Sequence, residues 1–171
     1  MATVFSSTRL RWIESALDAL DRAAARRRPA RAAHLITGAR GERAALFWVR
    51  RRGYIVVARA WRSARAPGDL DLIAWLPVAH QPKLPRPQAN APEDTLCFIE
   101  VKTRTTRAVA AAEAAVDTDK RRTLRRLARH YLRQLPNRDV PTRFDILSVY
   151  FEAGKPADFE HLPSAFDWSE S

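Results

Sequence analysis

The sequence predicts a mixed α/β domain. Apolar residues recur at helical spacing in two segments, about 39–52 and 118–135. Four apolar, β-rich runs lie at 54–58, 69–76, 96–102 and 143–151. The resulting order of helix, three strands, helix and strand is typical of a mixed α/β fold, and 171 residues are enough for one domain with its own core.

An N-terminal extension, residues 1–35, precedes this domain. Its apolar residues recur at helical spacing and predict an amphipathic helix over about 8–27, through Leu10, Ile13, Leu17, Leu20 and Ala24. A transit peptide is the alternative. The acidic residues of this segment are unusual in such a peptide and favour a helix that caps the core or binds a partner: Glu14, Asp18 and Asp21.

Glycines and prolines mark the boundaries of the next elements. Thr37-Gly38 leads into the helix over 39–52, and Gly53 ends it. Pro67-Gly68 predicts a turn that enters the second strand. Five prolines within residues 77–94 predict an exposed loop between the second and third strands. Residues 152–171 carry one Lys and five acids and are interpreted as an acidic C-terminal tail.

The composition limits the class of partner. Thirty Lys and Arg residues against 19 Asp and Glu give a net charge of +11, so a polyanion is the natural partner. Arg makes up 26 of those 30 residues, which suits phosphate contacts or reflects a codon bias. A single cysteine excludes a disulfide scaffold and a Cys-based zinc site and is typical of the cytoplasm. No apolar run approaches the ~20 residues of a membrane span, and no secretory signal begins the chain.

Carboxylates interrupt two of the predicted strands. Asp71 lies in an otherwise apolar run, and Glu100 shares a strand face with Phe98 and Lys102. A buried carboxylate costs several kcal/mol unless it is paired or binds a cation. If the two strands are neighbours, Asp71, Glu100 and Lys102 form a cluster that suits Mg²⁺. A structural ion pair between Glu100 and Lys102 is the alternative.

Five motifs in order carry a family resemblance over about residues 36–151. They are Gly38-Ala39-Arg40-Gly41-Glu42-Arg43-Ala44-Ala45, Arg51-Arg52-Gly53-Tyr54, Gly68-Asp69-Leu70-Asp71-Leu72-Ile73-Ala74, Phe98-Ile99-Glu100-Val101-Lys102-Thr103-Arg104 and Arg143-Phe144-Asp145-Ile146. Together they resemble the bacterial YraN family. The resemblance implies a restriction-endonuclease-like core with a mixed central β-sheet flanked by helices, similar to Holliday-junction resolvases.

The resemblance also implies a PD-(D/E)xK nuclease site. Asp71 takes the aspartate position, and Glu100-Val101-Lys102 takes the (D/E)xK position. Asp71, Glu100, Glu42 and the Val101 carbonyl are then expected to hold Mg²⁺ or Mn²⁺, and Lys102 to assist the attacking water. The alternative for Glu42 is a first-turn acid that complements the helix dipole. Asp69 is expected to be an outer or solvent-facing acid, and Glu113 and Lys120 match positions expected to support the site.

Arginines are expected to grip duplex phosphates on either side of the acids. The predicted set comprises Arg40, Arg43, Arg104, Lys120, Arg121, Arg122 and Arg125. Such contacts depend on salt and read little sequence. A solvated charged face is the alternative for the arginines of the helix over 118–135.

The function predicted from these features is a metal-dependent endonuclease acting on DNA, including branched or flapped DNA, in the cytoplasm. A DNA-binding adaptor that keeps the fold without catalysis is one alternative, and an RNA-directed nuclease is another. Resolvase-like proteins dimerise to cut two strands, so the resemblance implies that a homodimer is one option. The sequence itself indicates no dimer surface.

Overall fold

The described part of the chain contains a five-stranded β-sheet whose strands lie side by side in the order in which they follow one another in the sequence. The computed structural model describes residues 16–17, 30–80, 93–106 and 117–169. In the described ranges from residue 30 onward, the elements are α1 (Ala30–Arg51), β1 (Ile55–Ser63), β2 (Ala66–Leu76), a 3₁₀ turn (Val78–His80), β3 (Thr95–Arg104), α2 (Thr118–Leu132), β4 (Thr142–Tyr150) and β5 (Asp158–Phe166). Neighbouring strands are antiparallel except β3 and β4, which are parallel and flank α2 in sequence. The predicted mixed α/β fold is therefore confirmed.

One helix covers each face of the sheet. Along β3, alternate residues belong to two different apolar clusters. Cys97 and Ile99 pack with α1 residues such as Val49, whereas Phe98 packs with α2 residues such as Leu127. Because successive strand residues point to opposite faces, the two helices lie on opposite sides of the sheet. The molecule thus has a helix, sheet, helix arrangement with an apolar layer on each side.

The first helix begins earlier than the sequence predicted. It starts at Ala30 rather than near residue 39, so the entry predicted at Thr37-Gly38 is wrong. Gly41, inside the helix, has a packing role, since a Cβ there would lie only 1.8 Å from Thr103 Oγ1 of β3. This close approach sets the position of Glu42 against the sheet. Gly53 follows the helix with φ 84°, which confirms the predicted stop.

The turn between the first two strands also differs from the prediction. It lies at residues 64–65, and Pro67 and Gly68 are already part of β2. Gly68 has φ 92°, and its Cα faces Thr123 and Leu127 of α2. The glycine therefore lets α2 pack closely on the start of β2 and is not a turn residue.

Residues 158–166 form a strand that the sequence analysis did not predict. β5 pairs with β4 and forms one edge of the sheet, so most of the segment interpreted as an acidic tail belongs to the fold. Phe159 packs in the α1 layer and Phe166 in the α2 layer. Between them, Glu160 and Ser164 take exposed positions, whereas His161 is half-buried.

Several predicted features lie outside the described residues. These are the N-terminal helix over 8–27, apart from residues 16 and 17, which are helical, most of the loop over 77–94, and Glu113. No helix in the described ranges is long and apolar enough to cross a membrane.

Candidate metal-dependent active site

Strands β2 and β3 separate at Asp71. Their pairing runs from Leu76 opposite Thr95 to Leu72 opposite Ile99 and ends there, while β3 continues to pair with β4 as far as Arg104. At the point of separation the Asp71 carboxylate accepts a hydrogen bond from the Val101 N–H, at 2.7 Å. Asp71 thus occupies the place of a ladder bond, and the two strands open beyond it.

The side chains of β2 change from one face of the sheet to the other at the same point. Leu70 packs in the α2 layer and Leu72 in the α1 layer, although residues two apart in a regular strand share a face. On β1, Arg59 pairs with Leu72 and Trp61 with Leu70, so Ala60 lies opposite Asp71. Ala60 has φ 43°, in the left-handed region that non-glycine residues seldom adopt. This local irregularity accompanies the turn of Asp71 toward β3.

Glu100 is held by two lysines through one oxygen. Lys102 Nζ lies 2.9 Å and Lys120 Nζ 3.1 Å from Glu100 Oε1. The Glu100 side chain is only 4% exposed, and its other oxygen, Oε2, is buried with no partner among the described residues. A buried carboxylate oxygen without a donor is costly, and a bound cation would satisfy it.

Lys120 reaches Glu100 from the first turn of α2. Asp117 caps this helix, and its side chain accepts a hydrogen bond from the Lys120 N–H, at 2.8 Å. Burial alone would lower the pKa of Lys120, but the Glu100 carboxylate outweighs it and the pKa is raised. The ammonium therefore stays charged. The structural ion pair that the sequence left open for Lys102 does form, and Lys120 joins it.

The acidic residues line one cavity of about 610 Å³ at the point where the strands separate. Glu42 reaches it from α1, Asp71 from β2, and Glu100 and Val101 from β3. The cavity has further polar walls, formed by Thr37, Thr103, Arg104, Thr105 and Thr106. All four residues that the sequence predicted as metal ligands therefore line this cavity.

The charges in this cavity are not balanced. Burial raises the pKa of Asp71 to about 7, and the neighbouring Glu100 carboxylate adds to the rise. Burial likewise raises the pKa of Glu42, with Asp69 and Glu100 as further causes. Mutual repulsion of carboxylates in a partly buried site is the situation that a divalent cation relieves.

The donor set fits a hard cation in an open site. Within the described ranges, no three His, Cys, Asp or Glu side chains are placed closely enough to enclose an ion. Mg²⁺ is usually held by one or two carboxylates and keeps several waters, so Asp71 and Glu100 suffice for it. The free Oε2 of Glu100 is the atom that makes this fit specific.

Most of the predicted phosphate-binding residues of the two helices have partners within the protein. Arg40 lies over the Phe151 ring at 3.8 Å, Arg121 over the Phe166 ring at 5.6 Å, and Arg122 pairs with Asp119 at 3.3 Å. Lys120 binds Glu100, as described above. Arg43 is half-buried on α1. This distribution does not resemble one continuous arginine face.

Arg125 corrects the prediction most clearly. Its side chain is buried, and its guanidinium donates to the carbonyl oxygens of Asp167 and Ser169, both at 2.7 Å. It therefore anchors the segment after β5 to α2 and is excluded from the solvent-facing phosphate-binding set. Sequence alone gave no means to separate it from the other arginines of α2.

Arg104 differs from the helix arginines because it lines the cavity itself. Its Nε is buried and has no hydrogen-bond partner among the described residues. A buried cationic donor and a buried carboxylate oxygen, Glu100 Oε2, are thus both unsatisfied around one cavity. An anion and a cation bound together would satisfy both atoms.

The fold and this site together define a class of protein. A mixed five-stranded sheet between two helices, with carboxylates where β2 and β3 separate, is an α/β fold consistent with a restriction-endonuclease-like core. Residues 41–149 match the model of the Uncharacterised protein family UPF0102, also called the YraN family. The chain belongs to this family, which confirms the resemblance found in the sequence.

Individual relatives extend the match beyond the family model. The chain is 50% identical to a UPF0102 protein of Koribacter versatilis over 133 residues, which cover 78% of this chain and 80% of that one. It is 36% identical to a UPF0102 protein of Porphyromonas gingivalis over 134 residues, 78% of this chain and 85% of the relative. A UPF0102 protein of Solibacter usitatus is 35% identical over 126 residues, 74% and 82% of the two chains. These names state membership of the family and no activity.

Proposed function

We propose that this protein is a metal-dependent endonuclease that hydrolyses phosphodiester bonds in DNA. The observation that carries the proposal is the unpartnered, buried Oε2 of Glu100 beside Asp71, in a cavity that also contains Arg104. Asp71 and Glu100 would bind Mg²⁺ or Mn²⁺ directly, and Glu42 and Val101, which line the same cavity, would contact the waters of the ion. Such an ion, when bound, polarises the phosphoryl oxygen and lowers the pKa of water.

The lysines divide two tasks in this proposal. Lys120 neutralises Glu100 Oε1 and fixes the orientation of the carboxylate, so that Oε2 is directed to the cation. Lys102 shares the same oxygen and is about as exposed as Lys120, at 27% against 31%. Because Lys102 takes the lysine position of the (D/E)xK pattern, it is the one assigned to hold the attacking water. Arg104 would hold a phosphate oxygen and stabilise the negative charge that develops there.

The substrate class is inferred from the charge and from the shape of the site. The net charge of +11 favours a polyanion. Because the acids lie in a cleft between two strands, branched or flapped DNA is a more suitable substrate than a continuous duplex. We place the protein in the cytoplasm because it has one cysteine, Cys97, which is buried and free. If the protein cuts both strands of a junction, a homodimer would supply the second site.

The test is a cleavage assay with matched variants. Linear, nicked, flapped and four-way-junction DNA are incubated with the full chain in Mg²⁺, Mn²⁺ or EDTA, beside Glu100→Gln, Asp71→Asn and Lys102→Ala. Lys155→Ala is the control, because Lys155 also pairs with a glutamate but is 69% exposed and does not line the cavity. We expect metal-dependent cutting by wild type and control, and a loss of at least 10²-fold in the three variants.

Two results would contradict the proposal. Cutting that survives Glu100→Gln and Asp71→Asn would remove the site assignment. Salt-sensitive binding by the wild type, without cutting in either metal, would favour the adaptor. Matched RNA substrates in the same assay would show an RNA-directed nuclease if they are cut in preference to DNA.

A further inference from the structure

The β1–β2 hairpin carries three exposed arginines that do not belong to the set predicted from the sequence to bind phosphate. Arg59, Arg62 and Arg65 are exposed, and Arg62 is 76% exposed. The side chains of Arg59 and Arg65 form no hydrogen bond or ion pair with any described residue, and Arg62 has a single surface partner, Asp69, at 3.2 Å. The hairpin therefore offers guanidinium groups that are available to a ligand.

The strand register puts these arginines beside the cavity. Arg59 pairs with Leu72 and Trp61 with Leu70, so the two residues flank the position opposite Asp71. Arg59 also interacts electrostatically with Glu42 at the cavity, and Asp69, the partner of Arg62, does so with Glu42 and Lys120. Arg65 lies at the turn, where the hairpin projects farthest from the Asp71 position.

The hairpin is fixed to the body of the protein by α2. Ser63 Oγ and His130 Nδ1 are 2.8 Å apart, and the rings of Trp61 and Tyr131 meet edge to face at 5.4 Å. Packing on this scale holds the strand ends in place. A ligand gripped by the hairpin is therefore held at a fixed distance from Asp71.

We propose that the β1–β2 hairpin, through Arg59, Arg62 and Arg65, binds the phosphate backbone of duplex DNA next to the cavity. The inference rests on the proposed function for its choice of DNA. In the bound state the phosphates replace Asp69 as the partner of Arg62, give Arg65 an anionic partner, and add an anion to Arg59 beside Glu42. The arginine side chains thus offset the repulsion between the cavity carboxylates and the backbone.

The test measures binding in EDTA, where no cutting is expected, by the fluorescence anisotropy of a labelled duplex over a range of salt concentrations. The triple variant carries Arg59→Gln, Arg62→Gln and Arg65→Gln. The control carries Arg50→Gln, Arg138→Gln and Lys155→Gln, which make the same change in net charge at exposed positions. Lys155 lies between β4 and β5, at the edge of the sheet opposite β1, so this part of the control is remote from the hairpin.

We expect the hairpin variant to bind the duplex at least about tenfold more weakly than wild type. The slope of log K against log salt should also become shallower by about 2.7, which is about 0.9 for each of the three phosphates that the variant no longer neutralises. The control should change the slope by less than about 1. Arg59→Lys with Arg62→Lys and Arg65→Lys should retain the wild-type slope, because Lys also neutralises phosphate.

The outcomes separate this inference from the proposed function. Equal slopes for the hairpin variant and the control overturn the inference, whether or not wild type cuts DNA. If the hairpin variant loses binding and the wild type cuts no DNA, the proposed nuclease function is overturned and the inference about the hairpin stands. A wild type that binds no duplex overturns it as well.

Discussion

Two buried carboxylate clusters lie in the same sheet, and they are built in opposite ways. At Asp145, on β4, each carboxylate oxygen has two donors. Arg143 approaches both oxygens at 2.7 and 2.9 Å, His161 is 3.0 Å from Oδ2, and the Ser164 N–H donates to Oδ1 at 3.1 Å. Burial alone would raise the pKa of Asp145, but the hydrogen bonds of His161 and Arg143 outweigh it and hold the pKa below its ordinary value.

At the cavity there are too few hydrogen-bond donors for all the carboxylate oxygens. Glu100 Oε1 has two lysines, while Oε2 has no partner in the described part of the chain. Asp71 accepts one backbone hydrogen bond, and its pKa is raised to about 7. Both clusters are acidic and interior, so the number of donors separates the structural cluster from the candidate functional one.

The number of hydrogen bonds that an interior carboxylate accepts, rather than the depth of its burial, indicates its role. A fully bonded carboxylate such as Asp145 stabilises the fold and has no capacity left for a ligand. A carboxylate that the protein leaves half-bonded costs stability until a ligand completes it. Four predictions test this contrast.

The largest expected effect is on stability. Asp145→Asn leaves Arg143 and His161 around a neutral side chain, and we expect the free energy of unfolding to fall by about 3–5 kcal/mol. Asp71→Asn removes a charge that lacks full compensation, so the metal-free protein should lose nothing or become more stable. Urea unfolding in EDTA measures both. An Asp71→Asn loss as large as that of Asp145→Asn would contradict the comparison.

The sequence predicted the cavity cluster better than the Asp145 cluster, for a physical reason. Asp71 and Glu100 interrupt apolar runs, and that local conflict is visible in one dimension. Asp145 interrupts an apolar strand as well, but its partners His161 and Ser164 belong to β5, which the sequence analysis interpreted as part of a tail. β5 is an edge strand with exposed positions along its length and with Pro163 within it. It therefore lacks the apolar run that predicts an interior strand.

The rotation at Asp71 was not predictable either. Strict alternation puts Leu70 and Leu72 on one face, and the structure puts them in different layers. The irregular residue is Ala60 on the neighbouring strand, and nothing in an alanine indicates a positive φ. The arginines show the same limit, since Arg125 and Arg62 look equivalent in sequence, yet one is buried and the other exposed.

The second prediction concerns the binding of a divalent cation. Mn²⁺ or Mg²⁺ should stabilise the wild type by about 2.7 kcal/mol at a concentration 100-fold above Kd. Glu100→Gln and Asp71→Asn should lose this gain, whereas Glu152→Gln, in an exposed pair with Lys155, should keep it. The thermal midpoint with and without metal is the measurement. A gain retained in Glu100→Gln would place the cation elsewhere.

The third prediction concerns pH, and the two clusters have opposite signs. The pKa of Asp145 is depressed, so its contribution to stability is complete above about pH 4, the unfolded value, and is lost as the pH falls below it. The pKa of Asp71 is raised to about 7, so its contribution is present below about pH 4 and is lost as the pH rises through 7.

In EDTA we therefore expect Asp71→Asn to gain about 1–2 kcal/mol relative to wild type between pH 5 and pH 8, a discounted share of 1.36 kcal/mol per pK unit because the site opens to solvent. Urea unfolding at the two pH values gives the difference, in which the other titrating groups cancel. A constant difference between variant and wild type would show that Asp71 is already satisfied.

The smallest expected effect is on the two left-handed residues, one beside each cluster. Ala60 has φ 43° opposite Asp71, and Ser164 has φ 52° where its N–H reaches Asp145. Glycine relieves a strain of about 1–2 kcal/mol but adds chain entropy to the unfolded state, so both Ala60→Gly and Ser164→Gly should gain at most about 1 kcal/mol of stability.

Valine should destabilise the protein at both positions. Only Ala60→Val should also weaken the Mn²⁺-dependent stabilisation, because only Ala60 lies opposite an acid that has room for a ligand. A Mn²⁺ effect of equal size in Ser164→Val would mean that the two clusters are coupled through the sheet, and the division of roles between them would then be wrong.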